Sequence, residues 1–249
     1  MDNALIIGAS GDIGISMTQL LLEKGIHVIA SVRDHHLNKP EYLHILKSEY
    51  KSQLILVSMD ISAQESVEKA FSFISGHTNK LHLIINCTGL LHNNKGLQPE
   101  KRLEDINTDN LVQSFTVNSI GPLLIARYAL PLLRHDDRSV LSNISARIGS
   151  ISDNRAGGWY AYRAAKAAQN MITKTLAIEL NRRSPNTICV GLHPGTVNTK
   201  LSKPFQRNLK LGQLTTAKQS VNYLYKVITK LEKKDSGKIF AWDGSEISP

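Results

Sequence analysis

The chain has 249 residues, of which 41% are hydrophobic, so it can bury the core of one domain, and we expect a single domain over residues 1–249. The formal net charge of +9 raises the idea of a nucleic-acid or membrane-surface partner. We expect neither, because the lysines are spread along the chain and no aromatic residues alternate with them. No stretch is apolar for long enough to span a membrane, and the first residues lead into a strand instead of a signal segment. We therefore expect a cytoplasmic protein.

The first 33 residues predict a strand, a glycine-rich turn, a helix and a second strand. An apolar run at Ala4–Ile7 leads to Gly8, Gly11 and Gly14, and apolar positions at helical spacing follow. The next apolar run is Ile26–Val32. Glycines permit close backbone approach, and the start of a helix offers unpaired N–H groups to a pyrophosphate. This region therefore predicts nucleotide binding.

The rest of the chain alternates strands and helices without repeats. Further strands are predicted at Leu54–Val57, Leu81–Asn86, Val140–Ser145, Thr187–Gly191 and Lys238–Trp242. Further helices are predicted at Ala63–Ile74, Leu111–Leu133, Tyr160–Arg182 and Thr215–Lys230. This alternation predicts an α/β fold, a doubly wound parallel sheet of seven strands with helices on both faces.

Polar residues and glycines follow the predicted strands at their carboxyl ends, where such sheets bind ligands. These residues are Gly8, Asp60, Asn86, Ser145 and His193. They are expected to share one edge of the sheet. The chemistry of the protein is therefore expected there.

Tyr162 and Lys166 lie one helical turn apart in the stretch YAYRAAKAA. Positions i and i+4 share a helix face, so the ammonium group can favour the ionised phenol. A free phenol titrates near pH ~10, and a nearby positive charge brings it closer to neutrality. The pair predicts a general acid/base.

Five motifs occur in the order found in a known family. They are the spacing GxxGxxG at residues 8–14, Asn86, Asn118, the Tyr162/Lys166 pair and Pro194-Gly195. Together they resemble the short-chain dehydrogenase/reductase family over essentially the whole chain. The stretch GGWYAYRAAKAA looks most like the carbonyl-reductase branch that includes C-factor-like bacterial proteins. The resemblance implies a single-domain Rossmann fold and an NAD(P)-dependent oxidoreductase that interconverts a carbonyl compound and an alcohol.

The family's first motif reads TGxxxGxG, and here the middle glycine lies one residue early, with Asp12 in its place. By resemblance, a set of residues is expected to contact the dinucleotide. This set is Gly8, Ser10, Gly11, Asp12, Ile13, Gly14, Arg33, Asp60, Ile61, Asn86, Gly89, Lys166, Pro194, Gly195, Val197 and Thr199.

Cofactor choice is expected to depend on the end of the second strand. Val32 stands where NAD-dependent members carry an acidic residue, and Ser31 and Arg33 flank it. A cation binds the extra phosphate of NADP, whereas a carboxylate repels it. Asp34 opposes this reading, because its carboxylate could turn toward the ribose. We expect NADP(H) to be favoured over NAD(H).

The resemblance implies catalytic roles for Tyr162, Lys166, Ser145 and Asn118. Tyr162 is expected to protonate the substrate oxygen, Lys166 to lower the tyrosine pKa and bind the nicotinamide ribose, and Asn118 to hold a water that relays protons. The family ends the preceding strand in Ser-Ser, and its second serine polarises the carbonyl. Here Ala146 takes the second place. We predict that Ser145 does this instead, with Ser150 as the alternative.

A substrate lid is predicted at residues 193–214, and the loops at 90–94 and 147–159 are expected to line the substrate. Possible oligomers are a homodimer or a homotetramer, formed by the helices that begin at Leu111 and Tyr160. Cys87 and Cys189 lie in apolar runs and are expected to be buried thiols. The nine histidines lack metal-ligand spacing, so no metal is expected. An alternative function is a signalling or regulatory protein that binds the dinucleotide with little turnover.

Overall fold

A computed structural model of the chain describes residues 2–33, 41–207, 209 and 212–249. Asp34, which opposed the NADP(H) prediction, lies outside the described residues. Lys210 and Leu211 of the predicted lid lie outside them as well.

Seven parallel strands form the central sheet in the order β3-β2-β1-β4-β5-β6-β9. These strands are β1 (Asn3–Ile7), β2 (His27–Val32), β3 (Leu54–Ser58), β4 (Leu83–Asn86), β5 (Ser139–Ile144), β6 (Thr187–His193) and β9 (Ile239–Ala241). A separate parallel pair consists of β7 (Thr196–Val197) and β8 (Leu214–Thr215). The order reverses direction between β1 and β4, which creates the crevice in which doubly wound sheets bind their ligands.

Helices cover both faces of the sheet. They are α1 (Asp12–Glu23), α2 (Glu41–Tyr50), α3 (Gln64–Ser75), α4 (Thr108–Phe115), α5 (Gly121–Leu133), α6 (Tyr160–Arg183) and α7 (Ala217–Lys230). One buried apolar cluster joins α1, α2 and α7 to the sheet, and a second joins α3, α5 and α6 to its other face. The predicted α/β fold, a single-domain Rossmann fold with a doubly wound parallel sheet, is confirmed.

Two helices differ from the prediction. No helix was predicted at Glu41–Tyr50, where Leu43 and Leu46 are the buried residues of α2. The long helix predicted at Leu111–Leu133 starts earlier and contains a π-helical segment at Thr116–Ile120, between α4 and α5. An extra residue in a helical turn of this kind is common at functional sites.

No helix among the described residues is both long and apolar enough to cross a membrane. Within the same residues, no group of three or more His, Cys, Asp or Glu side chains is arranged to hold a metal ion. Cys189 is buried, Cys87 is half-buried, and both are free thiols.

Candidate active site

The glycine turn between β1 and α1 is too tight for side chains at two positions. Gly8 has φ +78°, and a Cβ on Gly14 would lie 2.3 Å from the Gly8 carbonyl oxygen. Gly11 is the N-cap of α1 and provides no side-chain cap. The first amides of α1 are therefore left for an outside acceptor, and Ser10 and Gly11 beside them are exposed.

Asp12 connects this turn to the predicted lid. Its Oδ2 accepts a hydrogen bond from the backbone N–H of Lys200 at 2.8 Å. The contact joins residues that are 188 positions apart. The first part of the predicted lid therefore lies against the start of α1.

At the end of β2, Arg33 is exposed whereas Ser31 is completely buried. The guanidinium group of Arg33 can reach a ligand at this edge. The hydroxyl of Ser31 is enclosed by the fold and does not reach this edge.

After β3, Asp60 and Ile61 turn in different directions. The Asp60 Oδ1 accepts hydrogen bonds from the backbone N–H and the hydroxyl of Ser62, at 2.9 and 2.6 Å. Ile61 is buried against Gly121, where a Cβ would lie 2.7 Å from the Ile61 Cδ1. In the described structure Ile61 is thus a core contact of α5.

Asn86 and Asn143 hold together the carboxyl ends of β4 and β5. The Asn86 Nδ2 donates to the Asn143 Oδ1 at 3.0 Å, and the Asn86 Oδ1 accepts from the backbone N–H of Thr88 at 3.1 Å. Gly89 follows, and a Cβ on it would lie 3.7 Å from the Asn118 Oδ1. This turn therefore carries the main chain past Asn118.

Asn118 is fully buried in the π-helical segment, and its side chain is fully engaged. Its Oδ1 accepts from the Leu90 N–H at 3.0 Å, and its Nδ2 donates to the Leu90 carbonyl at 2.8 Å and to the Ser114 Oγ at 3.2 Å. A water at this position therefore has only the main chain of Asn118 to bind.

Tyr162 and Lys166 lie on one face of α6, below the ends of β4 and β5. The Lys166 Nζ is 5.8 Å from the centroid of the Tyr162 ring. It donates to the Ile144 carbonyl at 2.8 Å and to the Gln169 Oε1 at 3.1 Å. The pair therefore shares one site, with the ammonium group turned toward the protein interior.

Burial changes the proton affinities of both groups. It lowers the pKa of Lys166 to about 7 and raises the pKa of Tyr162 to about 12. At pH 7 a lysine with this pKa is protonated only about half of the time, so its charge favours the phenolate less than an ordinary lysine would. The sequence analysis overlooked Gln169, which accepts a hydrogen bond from Lys166. Its position three residues after Lys166, on the buried face of α6, could have indicated this contact.

The hydroxyl of Ser145 is used in a hydrogen bond inside the fold. Its Oγ donates to the Asn170 Oδ1 at 2.7 Å, and the residue is only 3% exposed. The next residue, Ala146, has extended backbone and is half-buried, and consecutive extended residues point to opposite sides. The geometry therefore disfavours the predicted carbonyl-polarising role of Ser145.

The alternative, Ser150, is also buried. Its Oγ accepts from the Asp153 N–H at 3.2 Å and lies 3.3 Å from the Ser152 Oγ. These contacts fix the loop after β5. They leave Ser150 no better placed than Ser145 to reach a substrate.

The segment after β6 is held by the C-terminal part of the fold. Gly195 has φ +79°, and a Cβ on it would lie 2.9 Å from the Trp242 Cδ1. The Pro194 carbonyl accepts from the Ser220 Oγ at 2.8 Å. Val197 is buried in β7, and the Thr199 Oγ1 donates to the Ser202 Oγ at 3.3 Å. These contacts fix the backbone of the segment that follows the carboxyl end of β6.

The sheet order and the glycine turn define a dinucleotide-binding class of protein, and comparison with known proteins gives the family. A family-wide profile described as short chain dehydrogenase matches residues 2–210. Because the match covers most of the chain, this protein belongs to the short-chain dehydrogenase/reductase family, as its motifs predicted.

Individual relatives agree with the predicted branch. The C-signal of Myxococcus xanthus is 33% identical over 165 residues, which are 65% of this chain and 94% of that protein. The 1-hydroxy-2-glutathionyl-2-methyl-3-butene dehydrogenase of Rhodococcus sp. is 27% identical over 247 residues, 98% of each chain. The NADPH-bound carbonyl reductase from chicken fatty liver has a TM-score of 0.88 at 26% identity, covering 100% of this chain and 99% of that one. The carbonyl-reductase and C-factor-like branch is confirmed, and the chain is an oxidoreductase of carbonyl and alcohol groups.

Proposed function

We propose that this protein is an NADP(H)-dependent oxidoreductase that interconverts a small carbonyl compound and its alcohol, with Tyr162 as the general acid/base. The observation that carries the proposal is the Tyr162/Lys166 pair, with 5.8 Å between the ring centroid and the Nζ. Lys166 ties the pair to the carboxyl end of β5 through the Ile144 carbonyl, and the glycine turn follows β1 at the same edge of the parallel sheet.

The glycine turn fits a dinucleotide. Neighbouring protein atoms take up the space that a Cβ would fill at Gly8 and Gly14, so the turn is tight. The uncapped amides of α1 that follow it would meet the pyrophosphate. When bound, the cofactor supplies a hydride to the carbonyl carbon. This fit supports the roles proposed for the turn residues.

Arg33 supports the choice of NADP(H) over NAD(H). Its exposed guanidinium follows the buried Val32 at the end of β2 and offers a charge-assisted contact to the additional phosphate. The related carbonyl reductase from chicken fatty liver was solved with NADPH bound. The exposed Arg33 and the NADPH-bound relative both support the proposed preference for NADP(H).

Tyr162 donates the proton that the substrate oxygen needs during reduction. Burial raises its pKa to about 12, so the phenol holds its proton at neutral pH, and a positive charge on Lys166 would make it a stronger acid. In the direction of alcohol oxidation the same group must accept a proton, and there a positive charge on Lys166 favours the phenolate.

Lys166 has to leave the interior to perform its proposed role. In the structure its Nζ donates to the Ile144 carbonyl and the Gln169 Oε1. Turning toward ribose hydroxyls would place it in a more polar environment, where it regains its proton. The main chain of Asn118 would then bind the water that relays protons onward.

We assign the orientation of the carbonyl to Tyr162 alone. Ser145 donates its proton to Asn170, and Ala146, which takes the place of the family's serine, has no donor. A missing donor to the developing oxyanion costs about 10²–10³ in rate. Slow turnover by this chain is therefore expected, which agrees in part with the alternative of a dinucleotide-binding signalling protein.

Two further proposals concern the surroundings of the site. We propose that residues 193–214 form a substrate lid, because Lys200 contacts Asp12 at the start of α1. We propose a homodimer or homotetramer, because α5 and α6 expose apolar side chains that a second copy would cover. These are Leu123, Met171 and Ile178. The cytoplasmic location stays a prediction.

The direct test offers a panel of aldehydes and ketones to the protein with NADPH. The loss of NADPH absorbance measures turnover of each compound. The proposal expects turnover of at least one carbonyl compound with NADPH and less with NADH. NADPH binding without turnover of any compound would contradict it and favour the signalling function.

A further inference from the structure

Three aromatic rings lie in a row beside the candidate tyrosine. Trp159 meets the Tyr162 ring edge-on with 6.3 Å between centroids, and it meets the Phe205 ring at 4.9 Å and an interplanar angle of 61°. His92 lies against the other side of Phe205 at 5.7 Å. We call Trp159, Phe205 and His92 the aromatic wall. All three are half-buried, so each keeps a surface that a ligand can contact.

The wall is assembled from three separate parts of the chain. Trp159 precedes α6, Phe205 belongs to the predicted lid, and His92 follows β4. The His92 Nε2 lies 3.1 Å from the Leu201 carbonyl oxygen and holds the lid segment to the loop after β4. Tertiary structure therefore brings the three rings together next to Tyr162, which Trp159 contacts directly.

Trp159 is held in an unfavourable backbone conformation. Its φ is +54°, and Gly157 and Gly158 before it both have φ +63°. A left-handed conformation is rare for a bulky residue and persists only where the surroundings enforce it. The chain thus keeps a strained tryptophan next to the proposed acid/base.

Arg163 and Glu100 hold the backbone around Trp159 in this conformation. Arg163 donates from its Nε to the Gly158 carbonyl at 2.9 Å and from its Nη2 to the Gly157 carbonyl at 3.1 Å. The backbone carbonyl of Glu100 accepts from the Trp159 N–H, and its Oε2 accepts from the Ala161 N–H at 3.2 Å.

Glu100 is only 3% exposed, and its Oε1 has no partner among the described residues. Burying a carboxylate is costly. The start of α6 offsets part of that cost, since the end of a helix with free N–H groups favours negative charge. Glu100 is thereby a positioning residue for Trp159.

We propose that the aromatic wall determines substrate specificity and selects carbonyl compounds whose C=O group is attached to a flat aromatic ring. The inference rests on the proposed function, since it places the substrate oxygen at Tyr162. A flat ring gains edge-to-face or offset contacts with Trp159 and Phe205, and a saturated ring of similar size does not. Such ring contacts change relative rates by about two- to tenfold.

The test compares acetophenone with cyclohexyl methyl ketone, which have similar size but a flat and a saturated ring. The measured quantity is the ratio of their kcat/KM values with NADPH. Comparing this ratio between variants cancels the intrinsic reactivities of the ketones. Trp159→Leu and Phe205→Leu should each lower the ratio by about two- to tenfold, and Trp159→Phe should retain most of it.

The matched control is Phe73→Leu, which removes an exposed phenylalanine near the end of α3 and should leave the ratio unchanged. Glu100→Ala should lower the ratio as Trp159→Leu does. Glu100→Gln should restore it, because an amide oxygen can still accept from Ala161. NADPH affinity, measured separately for each variant, verifies folding.

An unchanged ratio in both Trp159→Leu and Phe205→Leu, with wild-type turnover intact, would overturn the aromatic wall and leave the proposed function standing. Turnover of neither ketone by wild-type protein that binds NADPH would count against the proposed function itself, and the inference would fall with it.

Discussion

The Ser145 hydroxyl donates to the Asn170 Oδ1 at 2.7 Å and joins the end of β5 to the middle of α6. This bond uses the only proton that the serine has to give. It holds Ser145 against α6, and the next residue, Ala146, occupies the place of the family's second serine. The one serine left in the motif therefore stabilises the fold, and its hydroxyl is not available to polarise a substrate carbonyl.

We expect Ser145→Ala to affect stability more than rate. The buried Asn170 Oδ1 would lose its donor, at a cost of about 1–3 kcal/mol in the free energy of unfolding. Ala146→Ser, by contrast, should raise kcat by about tenfold or more, since it supplies an oxyanion donor. Denaturant unfolding and steady-state kinetics measure the two effects.

The exposed Ala164 on α6 offers a control for the second change, and Ala164→Ser should leave kcat unchanged. A loss of about 10²–10³ in kcat for Ser145→Ala, with unchanged stability, would restore Ser145 as the carbonyl-polarising group.

Gly14→Ala should destabilise the fold and abolish cofactor binding. The new Cβ would lie 2.3 Å from the Gly8 carbonyl oxygen, which is backbone and cannot move aside. Gly11→Ala is the matched variant, because its Cβ would lie at an ordinary 3.5 Å from the same oxygen. Thermal unfolding should separate the two by several degrees; equal melting temperatures would refute the close contact.

Arg33→Asp should weaken NADPH binding by about ten- to a hundredfold and change NADH binding much less, because a charge-assisted contact becomes a repulsion. Fluorescence titration with both cofactors measures this. Arg127→Asp, on the exposed side of α5, controls for the change in net charge. Equal losses for the two cofactors would show that Arg33 does not contact the additional phosphate.

Lys166 should make stability depend on pH in a definite direction. Its pKa is about 7 in the folded chain, against an ordinary 10.5. Between these values the unfolded chain binds a proton that the folded chain does not, so the free energy of unfolding should rise with pH by up to about 1.4 kcal/mol per pH unit. Below pH 7 both states are protonated and the dependence should vanish.

The measurement is the difference in unfolding free energy between wild type and Lys166→Met over a pH series, which cancels groups common to both proteins. A difference that stays flat above pH 7 would mean that Lys166 keeps its charge in the folded protein.

Much of the fold follows from local patterns. The strands are short apolar runs, and Gly8, Gly11 and Gly14 mark the turn that starts α1. The helix Glu41–Tyr50 was missed because its buried face consists of Leu43 and Leu46, too few apolar positions for periodicity to detect. The long helix was predicted without an interruption, and the π-helical segment ends directly before Gly121 and Pro122, where proline lacks the N–H for a helical hydrogen bond.

The site was harder to predict because its contacts cross the fold. Sequence order placed Tyr162 and Lys166 together, since one helical turn separates them. It could not show that Lys166 binds the Ile144 carbonyl 22 residues away, or that Ser145 turns toward Asn170, 25 residues along the chain. The rings of Trp159 and Phe205 likewise meet only through tertiary packing.

The central claim is that Tyr162 transfers the proton, and Tyr162→Phe tests it most directly because only the hydroxyl is removed. Tyr160→Phe, two residues earlier and 38% exposed, is the matched control. With any carbonyl compound that the wild type reduces, Tyr162→Phe should keep NADPH affinity and lose at least about 10²-fold in kcat, while Tyr160→Phe keeps both. Unchanged kcat in Tyr162→Phe would contradict the account.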